Sequence, residues 1–96
     1  MAGATRLGDK STGHDDCAPS ALVTASGNVF INGKGAGRVT DQYAPHGCPA
    51  HPSHQDSISA GSATVFINGL QAARIGDAAT LAGTVAQGSG NVFIGG

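Results

Sequence analysis

Six residues of this chain can bind a borderline metal ion, and they fall in two short windows: His14 and Cys17 in the first, and His46, Cys48, His51 and His54 in the second. Together the windows hold every histidine and cysteine of the sequence. Imidazole nitrogen and thiolate sulfur are the donors zinc prefers, and four of them at tetrahedral corners make a closed structural site. Six candidates exceed four, so residue type and spacing leave the choice among them open. The second window is stiffened by Pro45, Pro49 and Pro52, which reduces the entropy lost when it is ordered around an ion. Cys17 and Cys48 could pair as a disulfide, but each lies within three residues of a histidine, and in a chain made in the cytoplasm that setting favours metal ligation. Zinc is the expected ion, with iron the less favoured occupant because imidazole serves both.

The same residues admit catalytic readings. A Cys48 thiolate beside His46 or His54 would be an activated nucleophile. Asp15 or Asp16, next to His14, could serve as the general base of a zinc-dependent hydrolase or as a hydrogen-bond partner of a ligated His14. Nothing in the sequence resembles a substrate pocket, and so small a domain has little room for one. A closed four-ligand site would also leave no coordination position for a substrate. The expectation is a non-enzymatic protein whose only cofactor is the ion, with the hydrolase as the rival reading.

An internal repeat supplies the elements that must position these windows. Ser26-Gly27-Asn28-Val29-Phe30-Ile31-Asn32-Gly33 recurs as Ser62-Ala63-Thr64-Val65-Phe66-Ile67-Asn68-Gly69 and again as Ser89-Gly90-Asn91-Val92-Phe93-Ile94-Gly95-Gly96. The Val-Phe-Ile triplets favour strands, and the Asn-Gly after the first two is a strong hairpin signal. A second strand is expected at Ala36–Asp41 in the first copy and at Ala72–Asp77 in the next, both of the form Ala-x-Arg-x-x-Asp. The partner missing from the third copy is found at the other end of the chain, in Ala4-Thr5-Arg6-Leu7-Gly8-Asp9. The expected fold is therefore all-β: a small closed pseudo-threefold body of three β-hairpin repeats, the third closed by the N- and C-terminal segments, with the candidate ligands meeting near its axis. Arg6 with Asp9, Arg38 with Asp41, and Arg74 with Asp77 are each expected to fix a turn by a hydrogen-bonded ion pair. The connections from Lys10 to Ala25 and from Gln42 to Gly61 carry all the candidate ligands, and the third, from Ala78 to Gly88, carries none. Closure of the body would bring these loops out at one end.

Composition agrees with that plan. Ninety-six residues make a single domain, 1–96, whose thin core calls for extra support. Sixteen glycines and only 4% aromatic residues, with no tryptophan, favour tight turns and close backbone contacts over a large side-chain core. Five basic and six acidic residues, with no basic cluster, argue against nucleic acid as a partner. No secretory signal opens the chain, and no stretch approaches the ~20 apolar residues of a membrane-spanning helix. Manufacture in the cytoplasm and export by a non-signal route are expected.

At Gln71-Ala72-Ala73-Arg74, followed by Ile75-Gly76-Asp77, the sequence resembles the PAAR-repeat family, with Gln71 in place of the signature proline. The likeness extends through the repeats from Arg6 to Gly96. The resemblance implies a conical tip on the blunt end of a trimeric β-helical spike, in type VI secretion systems or contractile phage tails. It also implies a zinc near the vertex held by three histidines and one cysteine, which map onto His14, His46, Cys48 and His54, with His51 in reserve. Ala79-Thr80-Leu81 stands where many members carry a further cysteine, so the second window must supply three ligands. No appended toxin domain is expected beyond Gly96. The function implied is capping and sharpening the spike for membrane puncture, with transient contact to the target membrane and docking of an effector or toxin cargo. The alternative, in the same setting, is a zinc-dependent hydrolase acting on the target cell envelope.

Overall fold

The Asn-Gly pairs after Phe30-Ile31 and Phe66-Ile67 close two-residue hairpins, with Asn32 and Gly33 at φ 53° and 79° and Asn68 and Gly69 at 55° and 78°. Positive φ at both turn positions is the type I′ geometry, whose twist matches that of the flanking strands. A computed structural model describes residues 2–13, 18–48, 51–80 and 83–96, with the backbone alone for residues 46–48 and 51–54. Its strands are β1 (Ala2–Gly3), β2 (Phe30–Ile31), β3 (Lys34–Gly35), β4 (His46–Cys48), β5 (His51–His54), β6 (Phe66–Ile67), β7 (Leu70–Gln71) and β8 (Phe93–Ile94). There is no helix among the described residues, and so none long and apolar enough to cross a membrane.

The strands form four antiparallel pairs: β1 with β8, β2 with β3, β4 with β5, and β6 with β7. Three of these share one register. Ile31 faces Lys34, Ile67 faces Leu70 and Ile94 faces Ala2, while Phe30, Phe66 and Phe93 face Gly35, Gln71 and Gly3. The third hairpin thus joins the two terminal segments, as the repeat requires. The second strand of each hairpin lies earlier than expected, however. It is the residue pair just before Ala-x-Arg-x-x-Asp, because a two-residue turn brings the chain back at once.

The Ala-x-Arg-x-x-Asp segments instead join one repeat to the next. Arg6 bridges Ala36, Arg38 bridges Ala72, and Arg74 bridges Ala4. At the residues between, Thr5 N–H donates to Ala73 O (3.1 Å), Ala73 N–H to Gly37 O (3.1 Å), and Gly37 N–H to Thr5 O (2.9 Å), a closed ring of three backbone hydrogen bonds. Such close approach demands small residues. Ala4, Ala36 and Ala72 are wholly buried and pack with Ile31, Ile67 and Ile94 as one core cluster. A Cβ at Gly37 would lie 2.6 Å from Thr5 Cγ2.

Beyond this ring lies a second. Six short segments bridge in a closed circuit: Lys10 to Ala21, Leu22 to Tyr43, Gln42 to Ser57, Ile58 to Ala79, Ala78 to Thr84, and Val85 back to Ser11. The strand alternation turns one residue of each segment inward. Ser11, Leu22, Tyr43, Ile58, Ala79 and Val85 are buried, and five of the six, with Ala73, form the other core cluster. Closure leaves no free edge in either ring, which guards against pairing with other chains.

Candidate functional site

The six-segment circuit fixes where the candidate ligands stand. Its members alternate in direction, so the loops after Ser11, Tyr43 and Ala79 all leave from one end, and the hairpins lie at the other. The loops are stitched together at their roots. Thr12 N–H donates to Thr84 O (2.9 Å), and Thr84 N–H returns a bond to Thr12 Oγ1 (3.0 Å). Thr80 N–H donates to Ser57 O (2.9 Å), and Ser57 N–H to Thr80 Oγ1 (3.1 Å). Ser11 Oγ accepts the N–H groups of Gly13 and Ser20, anchoring both ends of the first loop.

His14 and Cys17 lie outside the described residues, as do Asp15, Asp16, Pro49, Ala50, Leu81 and Ala82. In the second loop the paired strands β4 and β5 set His46 opposite His54 and Cys48 opposite His51, with a register shift between His46 and Cys48. The backbone register thus brings the four residue positions His46, Cys48, His51 and His54 into one short hairpin. That donor set suits zinc. Below this loop sits Tyr43, wholly buried, its hydroxyl without a hydrogen-bond partner among the described residues. Burial, and then the nearby charges of Asp9 and Asp56, push its phenol well above the ordinary tyrosine value.

The hairpin end has a different character. Phe30, Phe66 and Phe93 are 61%, 56% and 51% exposed, each beside an exposed valine (Val29, Val65 and Val92). A frame of polar contacts holds these apolar pairs in place. Ser26, Ser62 and Ser89 are buried, and each hydroxyl accepts the N–H of the valine three residues on at 2.9 Å, a local turn that seats the strand. Arg6 grips Asp9 through Nε and Nη2, and the same bidentate pair forms between Arg38 and Asp41 and between Arg74 and Asp77. These bonds to the aspartates raise the three guanidiniums above their ordinary value. Each free Nη1 then reaches the next hairpin turn: Arg6 to Asn32 Oδ1 and Arg38 to Asn68 Oδ1 at 3.0 Å, and Arg74 to Gly95 O at 3.1 Å. Asn32 Nδ2 donates to Asn91 Oδ1, and Asn68 Nδ2 to Asn28 Oδ1.

The expected Arg/Asp pairs are all present. The anchoring role of Ser26, Ser62 and Ser89 is not evident from residue type, although their recurrence at the head of each repeat is the available signal. The six-segment circuit could not have been foreseen, because Ala21-Leu22, Gln42-Tyr43, Ser57-Ile58 and Thr84-Val85 share no motif.

A family model described as the PAAR motif matches residues 12–87. No curated protein matches the chain. The PAAR motif is associated with the spike tips of type VI secretion and other contractile systems. The match takes in both His/Cys windows and two complete hairpins, and with more than three quarters of its length covered, the chain belongs to the PAAR-motif family.

Proposed function

We propose that this chain is a non-enzymatic, metal-stapled tip that caps and sharpens a trimeric β-helical spike, for membrane puncture by a type VI secretion system or a phage tail. One observation carries the reading: the molecule has two unlike ends. Loops bearing the nitrogen and sulfur donors leave one end of the six-segment circuit, and three exposed Val-Phe pairs stand at the other. Equivalent bridges recur in each of three repeats, and the body measures 37 × 23 × 23 Å, long on one axis and equal on the other two. Both facts suit a pseudo-threefold cone seated on a threefold shaft.

At the loop end, His14, His46, Cys48 and His54 would hold zinc, with His51 in reserve. The ion would supply a tetrahedral cross-link worth ~10 kcal/mol or more of binding free energy, tying the loops into a point. At the hairpin end, phenylalanine and valine side chains would meet the apolar end of the spike, and strand edges would extend its β-structure. Force comes from the contracting machine. The tip is made in the cytoplasm and carried outward, touches the target membrane in passing, and offers its flanks to an effector or toxin cargo.

Two measurements test this. Metal analysis by mass spectrometry should find zinc bound one to one and lost on changing His14, His46, Cys48 or His54 to Ala. Full occupancy in all four variants would sink the ligand assignment, and absence of metal from every preparation would sink the staple. A variant with Phe30, Phe66 and Phe93 all changed to Glu should fold normally yet fail to co-purify with a trimeric spike. Undiminished capping by that variant would refute the docking face.

A further inference from the structure

Asn-Gly is the dipeptide most prone to lose ammonia, because glycine has no side chain to shield its amide nitrogen. That nitrogen attacks the asparagine Cγ, and the Cγ–Nδ2 bond breaks. Ammonia leaves a cyclic imide, which water then opens to aspartate or isoaspartate. This chain exposes two such pairs, Asn32-Gly33 and Asn68-Gly69, at the tips of its hairpins. Exposure alone predicts rapid decay at both.

The geometry opposes it. Attack requires the carboxamide to swing back over its own main chain, and each of these carboxamides is instead held outward on three sides by other segments. Asn32 Oδ1 accepts from Arg6 Nη1 (3.0 Å) and Ser89 Oγ (2.6 Å), and its Nδ2 donates to Asn91 Oδ1 (2.9 Å). Asn68 Oδ1 accepts from Arg38 Nη1 (3.0 Å) and Ser26 Oγ (2.6 Å), and its Nδ2 donates to Asn28 Oδ1 (2.8 Å). Both backbones are also locked in type I′ turns by the paired strands on either side. We propose that Asn32 and Asn68 are latent deamidation sites, kept intact in the folded protein by clamps built from Arg6, Ser89 and Asn91 and from Arg38, Ser26 and Asn28. Once a clamp opens, the product puts a carboxylate where Nδ2 had donated to a neighbouring carbonyl oxygen. Repulsion then replaces a hydrogen bond at the tip of a hairpin bearing an exposed phenylalanine. The third hairpin has Gly95 at this position and is immune.

Peptide mapping by mass spectrometry during incubation at mildly alkaline pH tests the proposal. In the native full-length chain both asparagines should persist while guanidinium-unfolded chain converts. Asn91→Thr is a mild opening of the first clamp, since Thr64 occupies the equivalent place in the second repeat. It should speed conversion of Asn32 by roughly fivefold, the factor carried by one net hydrogen bond, and leave Asn68 in the same molecule unchanged. Asn28→Thr should do the reverse. Conversion of native protein as fast as unfolded chain would overturn the clamp, as would an Asn91→Thr variant in which Asn32 is unaffected or both sites accelerate equally.

Discussion

Thr40 sits at φ 81°, in the left-handed region that a β-branched residue occupies only under strain. It is the third residue of the turn Arg38-Val39-Thr40-Asp41, closed by Asp41 N–H donating to Arg38 O (3.0 Å). The equivalent turns place Gly8 and Gly76 there, at φ 90° and 94°. All three residues make the same outward bond at 2.9 Å, Thr40 N–H to Ile58 O, Gly8 N–H to Leu22 O, and Gly76 N–H to Val85 O. Thr40→Gly therefore keeps every backbone contact, and the exposed threonine makes no side-chain hydrogen bond to lose. Relief of the left-handed conformation is worth ~1–2 kcal/mol, and the added freedom of glycine in the unfolded chain takes back ~0.4–1 kcal/mol. The net gain spans about 0–1.6 kcal/mol, with a midpoint of ~0.8 kcal/mol that in a domain of this size raises Tm by about 3–6 °C. Circular dichroism melts at fixed metal concentration would read this, since bound ions shift Tm by mass action. Gly76→Thr should lose a similar amount. An unchanged or lowered Tm for Thr40→Gly would refute the assignment of strain.

Gly88→Ala should destabilise the fold by about 1–3 kcal/mol, because its Cβ would lie 2.8 Å from the backbone oxygens of both Gly3 and Ala4. Gly27→Ala, with nothing within 4 Å, should be neutral in the same denaturant titration. Tyr43→Phe should gain about 1 kcal/mol by removing a buried hydroxyl that lacks a partner among the described residues, and a loss would mean that the hydroxyl is satisfied in the folded protein. Because burial raises the folded phenol above the unfolded value of ~10, the unfolded state sheds its proton first. Stability should thus be unaffected below pH ~10 and fall as pH rises past it. Tyr43 is the only tyrosine, so tyrosinate absorbance should appear together with loss of circular dichroism, and tyrosinate forming in still-folded protein would contradict the burial.

How far the fold was legible in the sequence can be argued from particular residues. Asn32-Gly33 and Asn68-Gly69 encode their turns locally, since few other pairs accept two positive φ values in succession. The pairing of β1 with β8 could be inferred because Ala4–Asp9 repeats a pattern whose partner is otherwise missing. The closed circuit through Ala21, Tyr43, Ile58 and Val85 could not, because it arises from tertiary closure and leaves no periodicity in single segments two residues long. The two His/Cys windows are legible as candidate metal ligands through residue type, whereas the choice among six donors depends on where loops converge in space. The buried serines looked like ordinary turn residues, and only the valine N–H three residues on reveals what each hydroxyl accepts.

The ring of bonds among Thr5, Gly37 and Ala73 also governs when the molecule can form. Each of its members comes from a different repeat, so none can be satisfied by its sequence neighbours. A ribosome making this chain releases β1 long before β8 exists to pair with it, and Thr5 must wait for Ala73. The ring therefore cannot close until Ala73 has emerged, although Gly37 can meet Thr5 well before then. Such dependence on distant partners places folding in the slow, millisecond-to-second regime of closed β topologies. It also splits the contacts of the opening segment in time, since Leu7, Gly8 and Thr5 have partners at Gly35, Leu22 and Gly37 that are made early, while β1 waits for β8.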